Sequence, residues 1–415
     1  MDQVSGSHFK LVYESLEHGN GAMASPCFIK GTLYQTFNHK YPLNIISKDN
    51  ILDDEFIYLY PIEISAGTIE VLLSTNLLNS ISPIVLTHLK NNKIKLIINM
   101  VHDPIIGESI EINQFEKTMN SMGVDSSNII FVFGNRWDKE HTSNMLFCQG
   151  CQGLVYQSRE LHKYPYNSFG YVSDCIRETD LNSEIRPKKF LSPNNIMKPH
   201  RVMLSYFVVK YNLLNDGIFS FIQPLSSEQI KSTLNQYSYD TGNNFNLISD
   251  QISDMLPYEL DTKGILPNEK WKIVGLPGNV KDWYTNSYLH IVTETLFSGE
   301  NCFLSEKVFR PIINLQPFLI FGQPRSLIKL KQLGFKTFSP FINEMYDLEV
   351  DDKKRLLMLE KEILKFATMS IQEIHEWYYS IKDILIYNQK HLASFSNCDF
   401  FDDALTKIYN HYTGK

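Results

Sequence analysis

The sequence predicts an α/β protein with parallel sheets, and three observations carry that prediction. Short apolar runs of strand length alternate with segments of helical spacing; the alternation occurs twice; and a polar stretch with three prolines, residues 182–199, separates the two series. The chain has 415 residues, 43% hydrophobic and 13% aromatic, enough to bury two sizeable cores and too apolar for a long disordered chain.

In the first series, residues 56–60, 94–101 and Ile129–Phe133 read as buried strands, because their apolar runs are continuous and bounded by polar, turn-forming residues. Pro83–Lys90 and residues 112–122 lie between them with helical spacing, which gives the order strand, helix, strand expected of βαβ units. In the second series, residues 201–214 are a predicted helix, 272–274 and 317–321 predicted strands, and 326–333 a helix closed by Gly334. Residues 226–267 are rich in Ser, Asn and Asp with weak periodicity, and read as an insertion or a loop-and-helix region. The last third is helical: 351–367 carries an apolar stripe, and Ser370 with Glu373 forms a capping box for a helix running to about Leu392. The predicted domains are therefore 1–185, 186–350 and a C-terminal helical part, 351–415, whose last helix is expected to cross to the N-terminal domain.

Charge and cysteine content narrow the function classes. Lys and Arg number 39 against 46 Asp and Glu, a net charge of −7, and no basic block is long enough to follow a phosphate backbone, so no nucleic-acid partner is expected. Six scattered cysteines suggest free thiols and a cytoplasmic location. The segment MDQVSGSHFK lacks signal-peptide features, and no apolar run reaches the roughly 18 residues of a membrane span, although contact with a membrane surface is compatible with this composition. Neither GxGxxG nor GxxxxGK[ST] occurs.

The densest chemistry lies in residues 287–338. Glu294 sits in IVTETLF, and Ser305, Glu306, Lys307 and Arg310 in FLSEKVFRPI. A Glu followed by Lys at a helix start can accept hydrogen bonds from ribose hydroxyls while the ammonium meets a phosphate; the plainer alternative is an ordinary helix-start pair. The strand PFLIFG ends in Gly322, where a backbone can approach a ligand closely. A second basic cluster comprises Lys188 and Lys189, then His200 and Arg201; the planar fork of Arg suits a diphosphate or carboxylate, and His200 could donate to the same group. In the first half, Glu63 in LYPIEIS and His102 with Asp103 in INMVHDP follow apolar strands directly, the position at which parallel sheets present reactive groups. Cys148 and Cys151 have metal-pair spacing with His141 and His162 nearby, but no second pair accompanies them, and no metal is expected. The stripe Trp377, Tyr378, Tyr379 reads as packing.

The combination TETLF, SEKVFRPI, PFLIFG and LGFKTF resembles the donor-binding half of GT-B glycosyltransferases, in particular the fucosyltransferase-like and exostosin-like groups and uncharacterised viral and bacterial relatives. The resemblance implies two Rossmann-like domains facing a cleft, with C-terminal helices packing back. It implies a nucleotide-sugar donor held by the second domain, with Glu294 and Glu306 on ribose or sugar and Lys307 on phosphate; Ser305, Arg310, Gly322, His200 and Arg201 complete the donor set. Thr295 stands where fucosyltransferases carry Asn, which tells against a fucose donor. The Asp-x-Asp signature of metal-dependent enzymes is absent, the nearest approach being Asp351-Asp352, so a metal-independent enzyme without a cofactor is expected. The acceptor would be a glycan, glycolipid or other glycoconjugate, with protein or modified DNA as an alternative and a non-catalytic sugar- or nucleotide-binding module as another. His102 or Asp103 is the candidate base for inversion, with Glu63 as the runner-up; Glu294 would act in a retaining enzyme.

Overall fold

The computed structural model describes residues 9–13, 44–51, 56–63, 81–100, 108–133, 146–149, 176–181, 184–237, 245–258, 281–299 and 302–394. The chain divides into two compact units, Met1–Val155 with Phe395–Lys415 and Tyr156–Ser394.

In the first unit, strands β1 (Phe9–Tyr13), β2 (Asn44–Ser47), β3 (Ile57–Glu63), β4 (Ile94–Met100), β5 (Ile129–Phe133) and β6 (Leu146–Gln149) form a sheet in the order β2-β1-β3-β4-β5-β6. Every described pair is parallel. On β4, Ile94, Leu96, Ile97 and Ile98 are all buried, so both faces of the sheet are covered there, as the unbroken apolar run requires. Helix α1 (Pro83–Lys90) opens with proline at its first turn, where no N–H is needed, and Ser82 caps it by accepting from Val85 N. Val85 and Leu89 of α1, and Phe115 and Met119 of α2 (Glu108–Ser121), are each four residues apart and all are buried in one core with β4. The chain runs from β1 to β2 on one side and to β3 on the other, which places a topological switch point between β1 and β3. Strands β1, β2 and β6, each four or five residues long, were not expected from the sequence.

The second unit has its own parallel sheet of β7 (Lys188–Asn194), β8 (Gly217–Phe221), β9 (Ser287–Thr293) and β10 (Phe318–Phe321), in the order β10-β9-β7-β8. Strand β7 occupies much of the polar, proline-bearing stretch and pairs on both sides. The expected strand at 272–274 lies outside the described residues. Helix α3 (Pro199–Lys210) is buried continuously from His200 to Val208, because α4 (Ser227–Gln236) and α5 (Phe245–Met255) pack over it. These two helices lie in the stretch 226–267 that the sequence marks as an insertion or a loop-and-helix region. Their apolar contacts are spaced by four, Ile230 with Leu234 and Ile248 with Ile252, and Ser226 with Gln229 supplies a capping box.

Helices α6 (Lys281–Thr285), α7 (Glu306–Ile313) and α8 (Ser326–Gln332) follow, and Gly334 (φ +89°) leaves the last of them in the left-handed region that glycine enters without strain. Asp351 caps α9 (Asp352–Thr368) by accepting from Lys354 N at 2.8 Å, and the Ser370–Glu373 capping box opens α10 (Ile371–Ser380). The single helix expected to run to Leu392 is two, α10 and α11 (Lys382–Ser394), separated at Ile381. Tyr378 donates to Leu315 O at 2.7 Å and receives a hydrogen bond from the buried Arg186, which ties α10 to the segment before β7; Trp377 stacks on Phe341.

Candidate functional site

From β7 the chain passes to β8 on one side and later to β9 on the other, so the switch point of the second sheet lies between β7 and β9. The strand ends there are joined by polar side chains. Thr293 Oγ1, at the end of β9, donates to Asn194 Oδ1, at the end of β7, at 2.6 Å, and the Asn194 amide donates to Ser192 O at 3.1 Å. Buried Asn and Thr at a sheet centre are costly unless paired, and these are paired with each other.

Glu294 follows immediately. Its N–H donates to Phe321 O at 2.9 Å, extending the β9–β10 pairing, and its side chain is wholly buried. The carboxylate accepts from Ser305 Oγ at 2.5 Å, from Ser305 N at 3.3 Å and from Thr295 N at 3.3 Å. Ser305 is also the N-cap of α7, with Oγ accepting from Lys307 N at 3.2 Å. Lys307 Nζ, half-buried, donates to Ser305 Oγ and to Thr295 Oγ1, each at 3.3 Å. The Ser305 hydroxyl thus uses its one proton on Glu294 and both lone pairs on Lys307. Carboxylate, hydroxyl and ammonium form one relay at the start of a helix, where backbone N–H groups and the helix dipole favour negative charge.

Gly322 has a packing reason for being glycine. A Cβ there would stand 3.3 Å from Cβ and Cγ of Glu294 and 3.0 Å from Ile320 Cγ2. The bare Cα therefore makes room for the Glu294 side chain. Glu306 opens α7, and its side chain lies outside the described residues. Arg310 lies one turn further on and close to His290 of β9; burial first, and the Arg310 charge second, push the His290 ring down to about 3, so it is neutral.

His200 and Arg201 are also brought to the switch point, but turned inward. The His200 ring is buried, stacks on Phe297 with centroids 5.4 Å apart, and donates from Nε2 to Glu294 O at 2.9 Å. Burial, with the Arg201 charge adding to it, pushes this ring down to about 3. Arg201 donates to Ile196 O at 2.8 Å and to Thr293 O at 3.5 Å. The pair ties the start of α3 to the carboxyl end of β9. Lys188 and Lys189 are anchored too, the first on Asn215 O and the second on Asp216 and Ala367 O.

Sequence reasoning missed the clamp on the loop between Glu294 and Ser305. Arg355 of α9, almost fully buried, donates to Phe297 O at 2.6 Å and lies 4.2 Å from the Phe297 ring centroid. Gln323 donates to Ser298 O at 2.9 Å and accepts from Phe303 N at 3.0 Å. Nothing local marks either residue: Arg355 sits three residues after Asp352 and reads as part of a solvated helix pair.

In the first unit, Glu63 is the last residue of β3 and stands level with Asn99 of β4. Its side chain, and the whole of His102 and Asp103, lie outside the described residues. Cys148 is in β6; Cys151, His141 and His162 lie outside the described residues as well.

No protein-family model matches the chain, and no curated protein matches it. Among solved structures, it is similar to a UDP-forming α,α-trehalose-phosphate synthase from Burkholderia xenovorans, at 11% sequence identity and a TM-score of 0.34, over 93% of this chain and 84% of that one.

Proposed function

We propose that the chain is a glycosyltransferase that moves a sugar from a nucleotide-sugar donor to a glycan, glycolipid or other glycoconjugate acceptor, with the donor held at the carboxyl edge of the second sheet. The observation that carries this reading is the Glu294–Ser305–Lys307 relay, set at a topological switch point and at the N-terminus of α7. Lys307 and the first turn of α7 meet the donor diphosphate, and Glu306 takes the ribose hydroxyls. Glu294 is spent on Ser305, so its role is to hold Ser305 and Lys307 in place. That assignment supports inversion, in which Glu294 needs no contact with the anomeric carbon.

The acceptor oxygen attacks the anomeric carbon as its proton passes to a base, and the bond from that carbon to the diphosphate oxygen breaks. The nucleoside diphosphate leaves with its charge met by Lys307 and the helix start, which together supply what a metal ion supplies elsewhere. Glu63, His102 and Asp103 are the proposed bases. Glu63 leads, because β3 flanks the switch point of the first sheet.

Thermal unfolding in the presence of UDP, GDP, CMP and TDP sugars tests the reading. A donor at a hundred times its Kd stabilises by about 2.7 kcal/mol, a readily measured shift. One nucleotide class should raise the midpoint and its sugar should be released slowly to water; no shift with any of them overturns the proposal.

A further inference from the structure

We propose that the outer face of α9, with the short 3-10 turn Glu344–Leu348 beside it, is a docking surface for an anionic membrane. On α9, Lys353, Lys354, Leu357, Lys361 and Leu364 are exposed, while Leu356, Leu359 and Ile363 are in the core. At about 100° per residue the exposed five fall within an arc of roughly 100°, the two leucines between lysines. Among the described residues none of the three lysines makes an ion pair. The acidic residues of the helix are engaged elsewhere: Glu360 accepts from Lys210 and Tyr211, Glu362 is buried, and Asp352 pairs with Arg355; Asp351, just before the helix, caps its first turn.

A second group of exposed apolar residues lies on the neighbouring segment. The 3-10 turn runs antiparallel to α9, held by Arg355 Nη1 on Glu349 O at 2.7 Å and by a hydrogen bond from Lys365 to Phe341 O. Met345, Leu348 and Val350 on this strip are each more than half exposed. Five of the ten exposed large hydrophobic residues among those described therefore lie on two adjacent elements and the short link between them. A concentration of that kind marks a binding surface rather than scattered exposure.

The chemistry selects the occupant. A second copy would set lysine against lysine. No helix of the described residues is long and apolar enough to cross a membrane. The helix presents a convex face, which a fluid interface accommodates: leucines enter the boundary region while lysine stems reach along it to place their ammonium groups among anionic headgroups. A lysine near such a surface contributes about fivefold in partition, so three contribute on the order of a hundredfold.

Co-sedimentation of the full chain with phosphatidylcholine vesicles, and with vesicles containing one-third phosphatidylglycerol, is the test. The parent should pellet with the anionic vesicles only, and 0.5 M salt should release it. Lys353→Gln/Lys354→Gln/Lys361→Gln should lower partition about a hundredfold, and Leu357→Ser/Leu364→Ser should lower it at unchanged charge, both at the parental melting temperature. Both variants lie outside the Glu294–Ser305–Lys307 site, so failure here leaves the proposed activity standing. The proposal is overturned if the parent stays in the supernatant, binds neutral vesicles equally, or binds through a face these variants leave intact; pelleting only when an acidic protein is added would assign the face to that class instead.

Discussion

Two helix starts meet the same switch point, and they differ. The start of α3 brings His200 and Arg201, the start of α7 brings Ser305 and Lys307, and each follows a parallel strand. At α3 the cation and the ring are spent on backbone carbonyls, whereas at α7 the ammonium is half-buried and linked through a hydroxyl to a buried carboxylate. The layers above explain the difference. Helices α4 and α5 pack on α3, and His200 and Arg201 are buried, so their polar groups must find partners within the protein. A cation near a helix start after a parallel strand is spent on backbone carbonyls or left half-buried according to what lies over it.

The inward corner should declare itself most strongly in acid. His200 and, further back on β9, His290 are held near 3 in the folded protein, against 6.5 unfolded. Below pH 6.5 the unfolded chain takes protons that the native state refuses, so this stability is complete above pH 6.5 and is lost as pH falls toward 3. Between pH 7 and pH 5 each ring accounts for a loss of roughly 2 kcal/mol. Asp347 acts in the opposite sense: burial raises it from 3.8 to about 6, so the native state binds its proton first and regains roughly 1 kcal/mol over that interval. Urea unfolding at pH 7 and pH 5 should therefore differ by about 3 kcal/mol, and His290→Phe should remove about 2 of it. A pH-independent stability would mean that the corner is open to water.

The next comparison sets Arg201→Ala against Lys307→Ala. Removing Arg201 takes the donor from Ile196 O and from the buried Thr293 O and should cost about 1–3 kcal/mol of stability, with donor affinity nearly parental in the folded fraction. Removing Lys307 should leave the melting temperature nearly unchanged and weaken donor binding about tenfold or more. Calorimetric titration beside thermal unfolding separates the two effects, and exchanged outcomes would reverse the assignment of the corners.

How much of this was legible in the sequence follows from what each signal measures. Strands β4 and β5 and helix α1 were legible because continuous apolar runs and Pro83 after Ser82 are local facts. Strand β9 was not read as a strand, although it is buried along its whole length, because Ser287, His290 and Thr293 interrupt its apolar run and are tolerated only through partners elsewhere in the fold or, for His290, by remaining neutral. The residues Glu294, Ser305 and Lys307 were legible as a group from their spacing and their resemblance. Their orientation, like that of Arg201, depends on layers that no local pattern encodes, and Arg355 reaches the Phe297 loop from 58 positions away.

Gly322→Ala probes the outward corner through its support. The added methyl would press on Glu294 and on Ile320, an overpacking cost of about 1–2 kcal/mol. Because the displaced carboxylate holds Ser305 and, through it, Lys307, donor affinity should fall severalfold in the folded protein. Full affinity with reduced stability would show that the relay tolerates the movement and that Glu294 is only a packing element.

Arg325 tests how far the outward corner extends. It lies just beyond β10, is exposed, and adopts φ 71° and ψ 13°, a left-handed conformation that costs a non-glycine residue roughly 1–2 kcal/mol. Its side chain gives no cap to α8; Asp347 does that work by accepting from Leu327 N at 2.8 Å and Ile328 N at 3.0 Å. Strain retained at a strand's carboxyl end points to a ligand. Arg325→Gly relieves the strain but increases the entropy lost on folding by roughly 0.5–1 kcal/mol, so the net expectation is a stabilisation of about 0.5–1 kcal/mol. Donor affinity should fall severalfold at the same time, since a guanidinium beside the diphosphate would be lost. A variant that is more stable and binds the donor unchanged would confine the outward corner to the start of α7.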